Sequence, residues 1–218
     1  MQPHETAEMT SEFWDRLYKS RARVWNGRVN VRLAEIARTL TPGRALDLGC
    51  GEGGDAVWLA ERGWSVVATD VSEVALQRAR ADAQEHGVLD RIEFVHRDLS
   101  HGAPAGAFDL VSAHFLHAPQ ELSLDRTTLL RDAADRVAPG GLLIIVDHGS
   151  APPWSGHQDH YFPSAAEVLA ALDLDVTVWE RVRVESIERA VTGPEGQQAA
   201  ILDNVILLRN AAAPVGDG

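Results

Sequence analysis

From residue 44 onward two apolar rhythms alternate. Short apolar runs of strand length occupy Ala45–Leu48, Trp64–Thr69, Ile92–His96, Phe108–Ala113 and Leu142–Val146. Between them, 54–62, 73–86 and 121–137 space their apolar residues three and four apart, which predicts helices. The fifth run, LLIIV, is continuously apolar, as a strand buried on both faces should be. Gly63, Gly87 and Pro139-Gly140-Gly141 punctuate the helix ends, and Ser72 is placed to cap the helix over 73–86. Strand and helix alternating at these lengths give right-handed crossovers and a parallel sheet with helices on both faces. Upstream, residues 1–10 carry no register and read as frayed. Phe13, Trp14, Leu17 and Tyr18 then mark a helix capped by Thr10 or Ser11. A turn around Asn26-Gly27 follows, and a second helix runs over Val29–Leu40 to Thr41-Pro42-Gly43. Downstream, a helix fits 164–172. Two β-rich runs, Val176–Val184 and Ala200–Leu208, flank TGPEGQ at 192–197 and predict an antiparallel hairpin at the sheet edge. From Asn210 the chain loses its pattern and reads as a disordered tail.

The junction of the first strand and helix, RALDLGCGEGG at 44–54, concentrates the chemistry. Glycine serves where a chain turns sharply or a ligand touches the backbone, and a helix start presents unpaired N–H groups there. The turn therefore reads first as a phosphate-cradling nucleotide loop. Gly49, Gly51 and Gly54 fit G-x-G-x-x-G, whereas Gly49, Gly51 and Gly53 fit G-x-G-x-G. Asp70 ends the second strand, where a carboxylate can accept from both ribose hydroxyls. Asp47, inside the apolar strand, and Glu52, in the turn, carry the wrong sign for a pyrophosphate and the right sign for an ammonium or sulfonium. Asp98 ends the third strand, where an adenine amino group could be read.

Composition narrows the picture. The 218 residues suffice for one large domain with a real core. Net charge is −12, and of the 20 basic residues one, Lys19, is a lysine. No basic block stands out, which argues against a nucleic-acid partner. The absence of an 18-residue apolar run argues against a membrane span. The single cysteine, Cys50, reads as a small packing residue in a reducing compartment. With an acidic N-terminus unlike a signal peptide, the expected location is cytoplasmic.

ALDLGCGEG, VVATDVS, FVHRDLS, FDLVSAHFLH and RVAPGGLLIIVD, in that order over about residues 44–147, resemble the successive motifs of class I S-adenosylmethionine-dependent methyltransferases. The WDRLY segment is more faintly similar to small bacterial enzymes of the tellurite-resistance and thiopurine type. The resemblance implies a Rossmann-like, doubly wound α/β fold with a seven-stranded sheet, mostly parallel with an antiparallel C-terminal strand, plus N-terminal helices. It implies one domain over 1–218: a helical lid segment at 1–43, a catalytic core at 44–209 and a tail at 210–218. The cofactor would be S-adenosyl-L-methionine and the product S-adenosyl-L-homocysteine. Gly49, Gly51 and Gly53 would line the methionine moiety, with Asp47, and Glu52 beside it, near the ammonium. Asp70 would bind the ribose, Val71 and Leu99 would flank the adenine, and Asp98 would meet its amino group. Ala113 and His114 would approach the reactive methyl. A nicotinamide-dependent oxidoreductase and a non-catalytic cofactor-binding module are the alternatives.

Methyl transfer from a sulfonium needs alignment, exclusion of water and, for an acidic nucleophile, a base. His114, His117, His148, His157 and His160 all follow strands four and five. His114 and His148 lead as catalytic bases. The spacing of His114, His117, His148 and His157 fits no metal pattern, so no metal is expected. Trp25 and Trp154 lie in loops outside any periodic element. The segment around Arg23, Trp25 and Asn26 is therefore expected to fold over the cofactor as a lid, with 148–162 as the far wall. The aromatic residues point to a small-molecule methyl acceptor with an O, N, S or other soft nucleophile. The edge hairpin leaves monomer and homodimer both open.

Overall fold

The computed structural model describes residues 3–117, 122, 124–156 and 160–212. Seven strands form one sheet in the order β3-β2-β1-β4-β5-β7-β6. They are β1 (Arg44–Leu48), β2 (Ser65–Asp70), β3 (Ile92–His96), β4 (Phe108–His114), β5 (Val137–His148), β6 (Trp179–Thr192) and β7 (Gln198–Asn210). β1 to β5 pair in parallel, and β7 runs antiparallel to both β5 and β6. The sheet is thus the expected seven-stranded, doubly wound one. The hairpin docks through its second strand, which inserts between β5 and β6.

The helices are α1 (Pro3–Lys19), α2 (Val31–Ala37), α3 (Gly54–Glu61), α4 (Glu73–Glu85), α5 (Arg126–Ala134) and α6 (Ala165–Leu172). α5 and α6 bury Leu129, Leu130, Leu169 and Leu172 against Leu46, Val111, Leu143 and Ile206 on one face. α2 and α3 bury Leu33, Val57 and Leu59 against Ala45, Leu110, Ile144 and Val146 on the other. The alternation along each strand decides which residue meets which layer.

Several boundaries move for local reasons. α1 starts at Pro3, so Thr10 and Ser11 lie within the helix rather than capping it. α2 starts two residues late because the Asn30 side chain accepts from the Arg32 and Leu33 N–H groups. α5, expected over 121–137, begins after Asp125, whose carboxylate accepts from Thr128 N–H; residues 118–121 and 123 lie outside the described residues. Pro139-Gly140-Gly141 does not end a helix. It sits inside β5, where the register with β4 shifts between Phe108 and Leu110. The last strand reaches Asn210, and residues 213–218 lie outside the described residues. Among the described residues no helix is long and apolar enough to cross a membrane.

Candidate active site

On the sheet face covered by α2 and α3, the apolar alternation of each strand ends in a polar residue at one edge. Asp47 of β1 faces Ser112 of β4, two residues before His114. His114 pairs with Val146, two before His148 of β5. His148 pairs with Asp203 of β7, and Asp203 with Ile187, two before Arg189 of β6. Register therefore lays Asp47, His114, His148, Asp203 and Arg189 in one row across five adjacent strands. All five line a single cavity of about 650 Å³.

One end of the cavity is built by the glycine turn. Gly51 has φ +54, and a Cβ there would meet Tyr18 Oη at 3.0 Å and Trp25 Cδ1 at 3.4 Å. Its N–H donates to Asp70 Oδ2 at 2.8 Å, while Ser72 N–H donates to Oδ1 at 2.8 Å. Asp70 is thus fixed in place, with a lone pair on each oxygen for a further donor. Asp98 caps a short turn through Ser100 N–H and lines the same cavity with Val71 and Leu99. Cys50 is a free thiol packed beside the α3 layer, and burial pushes its pKa up.

Asp47 is 2% exposed. Its Oδ1 accepts from the Ser112 hydroxyl at 3.2 Å, and Oδ2 has no partner among the described residues. Burial, then the charge of Asp55, raises its pKa to about 7. Asp55 opens α3, and its Oδ2 lies 2.7 Å from His114 Nδ1. The His114 side chain is 6% exposed, and its Nε2 is likewise buried without a partner. Burial pulls the His114 pKa down; the hydrogen bond and charge of Asp55 push it up further, and the net direction is up. Two orphaned buried polar atoms beside a ready-made acid cluster mark the place where a ligand's polar end belongs. Donor atoms of Asp47, Asp55 and His114 also lie within 4.8 Å of one another.

A strap over residues 23–30 roofs this end. Arg23 pairs with Asp82 of α4. The N–H groups of Val24 and Trp25 both donate to Glu52, and Asn30 N–H donates to Asp55 Oδ1 at 2.6 Å. Trp25 Nε1 donates to Tyr18 Oη at 3.1 Å, holding the indole over Gly51.

Three residues stand elsewhere than the sequence placed them. Glu52 lines the cavity edge, but its charge is spent on Arg78 at 2.7 Å and on the strap N–H groups. It anchors the roof instead of adding negative charge for an ammonium. Gly53 is absent from the lining. It holds φ +82 as the residue before α3, where a Cβ would come within 2.7 Å of Ala79 Cβ, so its smallness serves packing on α4. Ala113 is fully buried in the layer under α5 and does not line the cavity. The notion of a phosphate-cradling loop goes too: Asp47 and Asp55 hold that ground.

At the other end His148 stacks on Phe115, with ring centroids 4.3 Å apart, and Phe162 stands edge-on at 6.4 Å. Burial, then His117, lowers the His148 pKa to about 4, so it is a weak base and a neutral wall. Trp154 lies against Gly193 of the hairpin turn and not on the cavity. His157 lies outside the described residues. The residues that sequence reasoning missed are Asp55, Arg78, Asp203 and Arg189. Asp55 was legible as an acid in the first turn of a helix behind the glycines. The pairing of Asp203 with Arg189 needed the hairpin register.

Comparison with known proteins agrees with this geometry. Residues 45–141 match the family model of a methyltransferase domain. A probable thiol methyltransferase 2 of Arabidopsis thaliana is 26% identical over 195 residues, covering 84% of this chain and 86% of its own. The tRNA 5-carboxymethoxyuridine methyltransferase of Escherichia coli is 33% identical over 106 residues, but the match spans 47% of this chain and 39% of that one. Among solved structures, the magnesium protoporphyrin IX methyltransferase of Synechocystis PCC 6803 with bound S-adenosylhomocysteine superposes with a TM-score of 0.65 at 18% identity, covering 94% of this chain and 99% of that one. Residues 45–141 thus match a methyltransferase domain, and the seven-stranded sheet is the fold of solved methyltransferases that bind S-adenosylhomocysteine.

Proposed function

We propose that the chain methylates a small molecule and that the row from Asp47 to Arg189 is the floor shared by cofactor and acceptor. The observation that carries this reading is the single cavity: its cofactor end lies under the strap, and it continues without a break to the Phe115–His148 wall. A net charge of −12 works against the long-range attraction that RNA binding draws on. Relatives named for a thiol and for thiocyanate favour a small soft acceptor, whereas the tRNA enzyme matches over less than half of each chain.

In this reading Asp70 holds the ribose hydroxyls, Asp98 meets the adenine amino group, and Val71 and Leu99 pack on the ring. Asp47 Oδ2 takes the ammonium, the Gly49 and Gly51 backbone follows the methionine, and residues 1–43 form the lid through Trp25. S-adenosylmethionine supplies a methyl group already activated on a sulfonium. The protein's tasks are then alignment, exclusion of water and, where the acceptor carries a proton, its removal. His114 is oriented by Asp55 through Nδ1 and accepts that proton at Nε2. His148, held neutral, shapes the wall.

The test is S-adenosylhomocysteine release with thiols, phenols, amines, halides and chalcogen oxyanions, with total tRNA as a separate arm. Turnover of a small acceptor, reduced in His114→Gln for protonated acceptors, is expected. Methylation of tRNA alone would overturn the reading.

A further inference from the structure

The acids at the head of the row are held differently from the other acids of the cavity. Asp70 accepts from backbone N–H groups, and Glu52 pairs with Arg78. Among the described residues no arginine or lysine pairs with Asp47 or Asp55. Asp55 meets the His114 imidazole and the Asn30 N–H, and Asp47 meets the Ser112 hydroxyl. Asp47, Asp55 and His114 come from β1, the first turn of α3 and the end of β4, and all three line the cavity. One donor atom from each lies within 4.8 Å of the other two. An ion midway along the widest separation would stand at most 2.4 Å, half of 4.8 Å, from either end. Closing in by a few tenths of an ångström gives the bonds of about 2.0–2.2 Å that zinc makes to imidazole and carboxylate.

Each carboxylate is already oriented. The Ser112 hydroxyl fixes Asp47 Oδ1, and the Asn30 N–H fixes Asp55 Oδ1 while Oδ2 turns to His114. Outer partners that hold one oxygen and leave the other are the usual support of a metal-binding carboxylate. Burial is a second, independent sign. Asp47 is 2% exposed and the His114 side chain 6%, and Asp47 Oδ2 and His114 Nε2 are both buried without a partner among the described residues. A metal ion takes lone pairs from carboxylate and imidazole together. A mixed nitrogen and oxygen set suits zinc, cobalt or manganese rather than all-oxygen calcium. Histidine spacing hid this set, because two of its three donors are carboxylates from other elements.

We propose that Asp47, Asp55 and His114 bind a divalent transition-metal ion, with water completing its shell, and that this ion and the cofactor exclude each other. The exclusion rests on the methyltransferase reading, which puts the cofactor's ammonium on Asp47; the metal site itself does not. Two cations at one buried carboxylate repel and compete for the same oxygen. A bound ion also takes the His114 lone pair that the base role needs. The metal-loaded chain is therefore an inactive form that the cofactor must displace.

The test titrates cobalt(II), a probe with visible absorption, into the chelator-treated full chain, followed by calorimetry and by absorption. One site per chain is expected, and saturating S-adenosylhomocysteine should weaken cobalt binding at least tenfold. Asp47→Asn and His114→Gln should each weaken it at least tenfold, with the native fold checked by circular dichroism; if one variant fails to fold, the other decides. His86→Gln, which removes an exposed histidine beside Glu61, should leave it unchanged. No cobalt binding, undiminished binding by Asp47→Asn and His114→Gln, or a loss in His86→Gln would overturn the metal site. Cobalt binding unmoved by S-adenosylhomocysteine, when a separate titration shows that S-adenosylhomocysteine binds, would overturn the exclusion alone. A chain that takes up no S-adenosylhomocysteine would instead overturn the methyltransferase reading, and the two variants would still decide the metal site.

Discussion

Asp47→Asn removes a buried negative charge while keeping the shape of the side chain. In the cofactor-free protein the carboxyl pKa stands at about 7 instead of 3.8, raised first by burial and then by Asp55. A raised carboxyl pKa means that the folded state binds the proton more tightly than the unfolded chain does. Its stabilising contribution is complete below about pH 4 and is lost as the pH climbs to about 7. Three units correspond to about 4 kcal/mol. The amide leaves an unpaired buried N–H that takes back about 1–3 kcal/mol. Above pH 7 the variant should therefore be more stable by about 1–3 kcal/mol, or about 2–12 °C in Tm for a chain of this size. Near pH 5 the advantage should shrink or reverse. Scanning calorimetry of the ligand-free protein at both pH values reads this directly. Titration of S-adenosylhomocysteine should show the reverse: the variant loses a desolvated charge–charge contact and binds at least tenfold more weakly. A Tm difference that ignores pH, or unchanged affinity, would refute the reasoning.

Glu52→Gln should cost about 1–3 kcal/mol by weakening the tie to Arg78 and loosening the Val24–Trp25 anchor; faster proteolysis around residues 20–30, relieved by S-adenosylhomocysteine, would show it. Asp55→Asn removes the group that lifts the His114 pKa against burial, so for an acceptor that must lose a proton the acidic limb of the rate profile should move to lower pH and the plateau rate should fall. A limb that stays in place would remove His114 from the base role. Gly53→Ala forces a β-carbon into Ala79 at φ +82 and should destabilise by about 1–3 kcal/mol, read by urea denaturation.

Strand positions and the family motifs were legible because each strand's apolar run is short and bounded by glycine, proline or a capping residue. Asp47 and Asp70 stood out for the same reason, being acids inside or at the end of apolar runs. What sequence could not supply was partnership. Glu52 reads as a free acid until Arg78 arrives from α4 twenty-six residues on. His148 reads as a base until burial and the neighbouring His117 quench it. Gly53 reads as part of the cofactor loop, yet its need is set by Ala79 across a helix contact. The hairpin was visible as two β-rich runs, but the insertion of β7 between β5 and β6, which brings Asp203 and Arg189 to the row, depends on long-range pairing.

The most direct measurement is calorimetric titration of S-adenosylhomocysteine into the wild-type chain and into Asp70→Asn. One site per chain is expected, with affinity reduced at least tenfold in the variant, because one anionic acceptor for the ribose hydroxyls becomes half a donor. No binding by the wild type, or equal binding by both, would contradict the placement of the cofactor along the row from Asp70 and Asp47 to His114.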